Sequence, residues 1–314
     1  MNRAEFGQAR IDASIVIPFI IFTGVWGSTW IVIRDQLGVV APQWSVTYRF
    51  TVAAIAMALL ATFKGQSLKL DRGGLFAAVV LGITQFCVNF NSVYLAERFI
   101  TSGVIATAFA LLLIPNSILA WTFLGQKPSG RFLLAGLTAI VGVGLLFLHE
   151  LRSSTSEASQ IAIGLGLTLV GIMGASCANV YQAGKEAVRH PLLALLAWSM
   201  AIGAMLDALI AFAAAGPPTF DPRPGYLFGV LYLALFGSVL CFALYFPVVR
   251  KIGPGKAAYS SVLVPIIAMS LSTAFEGYRW SALAIAGGVL AIGGMLLALA
   301  GRRRPTLVTA PDAA

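Results

Sequence analysis

Ten apolar stretches divide this 314-residue chain, and nearly every charged residue falls between them. Eight carry no charge at all: 13–33, 73–96, 99–126, 132–149, 158–184, 224–249, 257–275 and 280–301. Two more, about 43–63 and 191–213, hold one charge each, Arg49 and Asp207. About 20 apolar residues cross the hydrocarbon of a bilayer as a helix, and stretches apolar on every face at this length and number suit no water-soluble core. The expected fold is an all-α polytopic membrane protein with ten transmembrane helices, spans 1 to 10. Charged residues are 11% of the chain, against roughly 25% in soluble domains, which leaves no length for a soluble catalytic domain.

The net charge of +9 follows topology. With the N-terminus placed in the cytoplasm, the inner segments hold 15 Lys and Arg and the outer loops 5, with Arg49 inside span 2. Such a bias in short loops predicts both termini on the cytoplasmic side. No basic face remains for nucleic acid, so the bilayer is the expected macromolecular surface. Span 1 exceeds the apolar core of a cleavable signal, and further spans follow it. Cys87, Cys177 and Cys241 all lie in apolar spans and imply no disulfide framework. The polar segment 305–314 reads as a disordered cytoplasmic tail.

The two halves echo each other. Gly24-Val-Trp-Gly27 in span 1 corresponds to Gly171-Ile-Met-Gly174 in span 6, Arg98 to Arg250, Pro115 to Pro265 and Gln126 to Glu276, at offsets of 147 to 152 residues. An odd number of spans per half inverts the second copy. The expected organisation is thus two inverted five-helix repeats, 1–152 and 153–304, an arrangement found in alternating-access carriers with a site near the midplane.

Those residues, together with GVWGSTW (24–30), YRFTVAA (48–54), the Leu124-Gly125-Gln126 end of span 4 and Pro265…Glu276, resemble the drug/metabolite transporter superfamily, EamA type. The resemblance covers roughly 14–300. It departs from the pattern at Gln126, where the superfamily usually has Glu after Gly, and at Ser199, which stands where a counterpart of Arg49 is due. Within the superfamily the chain is most similar to aromatic amino-acid exporters of the YddG type. The resemblance implies that spans 1, 3, 4, 6, 8 and 9 line a central cavity.

Polar groups inside a bilayer are costly and face the protein interior. Gln85 and Asn89 share a helical face, with Ser92 a turn on, and Ser176 shares one with Asn179. Amides and hydroxyls suit a zwitterion, because they pair with both of its charges without trapping it; the same groups also bind helices together. Trp26, Trp30 and Tyr259 add aromatic surface for an apolar side chain, whereas Trp44, Trp121, Trp198 and Trp280 fit an interfacial belt. The expected substrate contacts are Trp26, Trp30, Gln85, Asn89, Asn179 and Tyr259. Pro115 and Pro265 each remove a backbone donor inside a span and serve either as matched hinges or as static bends. Asn116 is placed to satisfy backbone groups freed by Pro115.

Arg49 and Asp207 lie at similar depths, each about six residues from an outer end. They form an ion pair, flank the outer vestibule, or separately snorkel or hydrogen-bond. Asp207 is the sole carboxylate expected mid-span. His149 and His190 read as solvated loop residues. No GxxxxGK[ST] run, metal-ligand spacing or catalytic constellation occurs, so no cofactor, no metal and no enzymatic activity are expected. The expectation is a secondary carrier of small organic solutes, exporting amino acids including aromatic ones. Carriage of phosphorylated sugars or other metabolites and a pore-type channel are the alternatives.

Overall fold

The computed structural model describes residues 13–128, 130–153, 158–252, 254–257 and 260–300. Tyr259 and the segment 305–314 lie outside the described residues. Every regular element among the described residues is helical. In chain order the long helices are α1 Ala13–Asp35, α2 Pro42–Phe63, α3 Arg72–Ala96, α4 Ser102–Leu124, α5 Gly130–Ser153, α6 Ala158–Gln182, α7 Leu192–Ala215, α8 Pro224–Lys251, α9 Ser260–Phe275 and α10 Ala282–Ala300.

Seven of these are long and apolar enough to cross a membrane. The other three, α5, α9 and α10, carry shorter apolar runs, Leu134–His149, Val264–Phe275 and Ala282–Gly294. Of the ten spans expected from sequence, seven are thus matched by full-length apolar helices among the described residues.

Burial is inverted relative to a soluble protein. Ile20, Ile55, Phe63, Phe76, Leu134 and Phe212 point outward, whereas Arg49, Asp207, Asn89 and Asn179 are buried. In water this would be ruinous. In lipid it is the stable solution, because hydrocarbon solvates the apolar rim and leaves polar groups to pair inside.

Helix α2 packs along α7, and α5 along α10; α1 meets α8 and α9, while α6 meets α3 and α4. Small residues set the closest approaches. A Cβ on Gly287 would stand 2.7 Å from the Gly142 carbonyl, so α5 and α10 touch backbone to backbone. Of the glycine pairs read from sequence, Gly27 lies against Ile267 and Gly174 against the Thr84 carbonyl, but Gly24 has nothing near it.

Two stretches widen from α- to π-helix: Gly82–Asn89 within α3 and Leu233–Leu240 within α8. Each is eight residues long. A π turn leaves its carbonyls poorly paired and is favoured where other groups capture them. Ser238 Oγ donates to the Leu233 carbonyl at 2.9 Å, and Trp26 Nε1 of α1 to the Gly237 carbonyl at 3.0 Å. In α4, a 3-10 turn at Phe109–Leu112 immediately precedes the α-helical segment holding Pro115. Pro265 lies inside the α-helix of α9 with no such break, and Pro18 and Pro247 also sit within helices.

Candidate functional site

The π stretch of α3 carries Gln85 and Asn89 to the wall of a central cavity of about 130 Å³, the scale of interior cavities that hold one benzene-sized ring. Helices α1, α2, α3, α4, α6, α8 and α9 contribute to its wall. Five of the six expected contacts are there: Trp26, Trp30, Gln85, Asn89 and Asn179. Tyr259 lies outside the described residues. Ser92 and Ser176 are buried but do not line the cavity.

Aromatic rings make up much of the wall. Trp26 makes edge contacts with Phe242 and Tyr245, centroids 5.5 and 4.9 Å apart, and Trp30 meets Phe109 at 5.3 Å. The Trp26 N–H is committed to the Gly237 carbonyl, so this residue offers the cavity its ring alone. The Trp30 indole N–H is buried without an acceptor. The Asn89 amide oxygen is likewise sealed without a donor.

Arg49 also lines the cavity and is 1% exposed. Its Nε donates to Ser238 Oγ at 3.0 Å and its Nη1 reaches the Tyr94 hydroxyl at 3.5 Å. The guanidinium carbon stands 4.5 Å from the Phe90 ring centre and 5.3 Å from that of Phe50, distances at which ring quadrupoles attract a cation. Asp207 is not its partner. The Asp207 carboxylate accepts from Asn91 Nδ2 at 2.5 Å, and Arg49 is in none of the ion pairs among the described residues. The ion pair entertained from matched depth therefore does not form. Depth fixes position along the membrane normal, whereas the rotation of α2 and α7 turns Arg49 to the cavity and Asp207 to α3.

Beyond Arg49 lies a second polar cluster. Tyr94 donates to Gln36 Oε1 at 3.2 Å. Arg34 donates to the Glu97 carbonyl and sits 3.9 Å from Glu276, which also accepts from Ser272. Glu97, just past the end of α3, is fully buried, and its carboxylate oxygens accept no hydrogen bond. Burial, and then the nearby Glu276 charge, push its carboxyl well above the ordinary value of 4.5, with Arg34 and Arg49 opposing. Near the end of α8, Arg250 donates to Gln182 Oε1 at 2.9 Å and to the Ala187 carbonyl at 2.8 Å.

Several expectations are corrected here. Trp44 is buried, donates to the Gly216 carbonyl at 3.2 Å and stacks on Tyr48, whereas Trp121, Trp198 and Trp280 are exposed as a belt requires. His149 is not solvated: it is buried in α5 between the Arg279 carbonyl and Ser281 Oγ. His190 is partly shielded and lies 3.7 Å from Asp71. Both amide atoms of Asn116 are buried without a partner among the described residues, so it satisfies no described backbone group freed by Pro115. Sequence reasoning did not single out Glu97, nor Phe90, Phe109 and Phe242. The one available signal for Glu97 was its place at a span end with no turn-forming residue beside it.

The model of the EamA-like transporter family matches residues 14–148 and 161–300. Protein PagO of Salmonella typhimurium is 26% identical over 300 residues, covering 93% of this chain and 95% of that protein. The uncharacterized inner membrane transporter YedA of Escherichia coli is 27% identical over 268 residues, covering 83% and 84%. The uncharacterized transporter YyaM of Bacillus subtilis is 27% identical over 289 residues, covering 90% and 92%. A solved crystal structure superposes with a TM-score of 0.66 at 16% identity, covering 91% of this chain and 96% of that one, a likeness of fold alone. The chain belongs to the EamA-like transporter family.

Proposed function

We propose that this EamA-family chain is a secondary carrier of small organic solutes in the bacterial inner membrane, exporting amino acids, aromatic ones included, by alternating access. The observation that carries the reading is the cavity itself. It is lined by aromatic rings, three amides and one guanidinium, with no carboxylate in its wall among the described residues. Polar clusters lie at Arg34–Glu97, near the end of α1, and at Arg250–Gln182, near the end of α8. A discrete cavity with polar clusters on separate helix ends suits a carrier that opens one end at a time better than a continuous pore, and among the described residues its wall holds no pair of acids or nucleophile with a base such as an enzyme needs.

The helical segments act in this reading as ten crossings in two inverted halves, 1–152 and 153–304, with both termini cytoplasmic. Support comes from the equal π stretches at Gly82–Asn89 and Leu233–Leu240. It also comes from the self-paired contacts α2 with α7 and α5 with α10, and from the bias of basic residues. Pro115 and Pro265 are the proposed hinges, the 3-10 turn before Pro115 marking the weaker helix.

The test is counterflow in proteoliposomes preloaded with unlabelled phenylalanine, tyrosine or leucine. Saturable accumulation of the labelled species, stimulated by the internal solute, supports the carrier. Flux that rises linearly with concentration and ignores internal solute means a pore. Exchange of glucose 6-phosphate with no amino-acid exchange replaces the substrate class and keeps the carrier.

A further inference from the structure

Arginine presents five N–H donors in a rigid fork. At Arg49 the Nε is taken by Ser238, and Nη1 reaches Tyr94 only at 3.5 Å, the outer limit of a hydrogen bond. Nη2 has no hydrogen-bond acceptor among the described residues, although the side chain is buried and lines the cavity. The backbone opposite Nη2 is Gly237, where an added Cβ would stand 3.3 Å away, so the absent side chain leaves room beside the free donors. A desolvated cation with no carboxylate in contact is costly unless a ligand completes it.

Phe90 and Phe50 hold the guanidinium from swinging elsewhere. Gln85, on the cavity wall, is 5% exposed and makes no hydrogen bond with a described residue. The wall therefore offers unused donors at Arg49 and an uncommitted amide at Gln85, whereas the unpaired Asn89 oxygen is sealed from it.

We infer that Arg49 anchors the carboxylate of the transported molecule while the Gln85 carbonyl accepts its ammonium group, so the cavity selects α-amino acids over amines, esters and phosphate esters. The inference rests on the carrier reading and deepens it. A planar fork matches a carboxylate bidentately. A phosphate dianion finds a single cation here where it needs more charge. An amine leaves Arg49 unpaired, and an ester offers it no charge.

Equilibrium binding of labelled L-phenylalanine to the purified full-length chain tests this, separately from the flux assay that tests the carrier. The competitors are phenethylamine, L-phenylalanine methyl ester, 3-phenylpropionate and glucose 6-phosphate. The expected order places phenylalanine first and 3-phenylpropionate next. The amine, ester and sugar phosphate fall at least ~10-fold below phenylalanine, since each leaves a buried charged or polar group unpaired.

Arg49→Gln is expected to weaken phenylalanine binding at least ~10-fold and to remove the preference for phenylalanine over its ester, with Arg49→Lys recovering part of the affinity. Gln85→Leu is expected to narrow the gap between phenylalanine and 3-phenylpropionate. Should Arg49→Gln fail to fold, the wild-type competition series alone decides. Amine or ester competing as well as phenylalanine overturns the anchor even if counterflow is intact. No amino-acid binding while glucose 6-phosphate binds overturns the substrate class.

Discussion

Trp26 of α1 donates its indole N–H to the carbonyl of Gly237 in α8, 3.0 Å away, inside the π-helical stretch that also presents Ser238 to Arg49. One bond thus ties the aromatic wall of the cavity to its only lining charge among the described residues, through a backbone segment whose regular pairing is relaxed.

Trp26→Phe keeps a ring at the cavity and removes the donor. The buried Gly237 carbonyl is left under-satisfied, at a cost of about 1–3 kcal/mol. Thermal unfolding in detergent should show the loss. An unchanged melting temperature would mean that the indole bond contributes nothing.

Gly174→Ala places a methyl 2.7 Å from the Thr84 carbonyl, where α6 rests on the π stretch of α3. Backbone cannot yield as a flexible side chain can, so about 1–3 kcal/mol of stability is lost. Gly24→Ala, with nothing within 4 Å, provides the contrasting neutral variant.

Exchanging the two intramembrane charges, Arg49→Asp with Asp207→Arg, should give no rescue over the single variants. Asp207 serves Asn91 and Arg49 serves Ser238; residues without shared partners couple by less than about 0.5 kcal/mol. Recovery of folding yield in the double variant would reinstate the ion pair.

Glu97 sets a pH dependence. Its folded carboxyl titrates well above 4.5, because burial and Glu276 outweigh Arg34 and Arg49. The unfolded chain releases this proton first as pH rises, so the stability present below the unfolded value is lost progressively up to the folded value. Glu97→Gln should remove that decline: its melting temperature should fall less than that of the wild type between pH 5 and 8. Parallel curves would place the proton elsewhere.

What the sequence made legible was whatever the bilayer forces. Charge-free runs of helical length gave the spans, and buried polar residues announced Gln85, Asn89, Asn179, Arg49 and Asp207 as interior groups. Rotation about a helix axis was not legible: Arg49 and Asp207 matched in depth yet face different neighbours. The π stretches carried no signature either. Gln85 and Asn89 were placed together by α-helical spacing and reach the same cavity through a wider turn. Glu97 was not legible because its surroundings come from tertiary neighbours, Arg34 on α1 and Glu276 beyond α9, which local sequence does not reveal.

In the proposed carrier the cavity is the transport site and opens to each side in turn. The most direct measurement is labelling of a single cysteine at the cavity wall, Phe109→Cys with Cys87, Cys177 and Cys241 replaced by Ala, in vesicles of both orientations. The account predicts that a membrane-impermeant maleimide reaches it from either side. It also predicts that saturating phenylalanine slows the labelling and that complete labelling abolishes counterflow. Labelling from one side only, unaffected by substrate and without effect on flux, would contradict it.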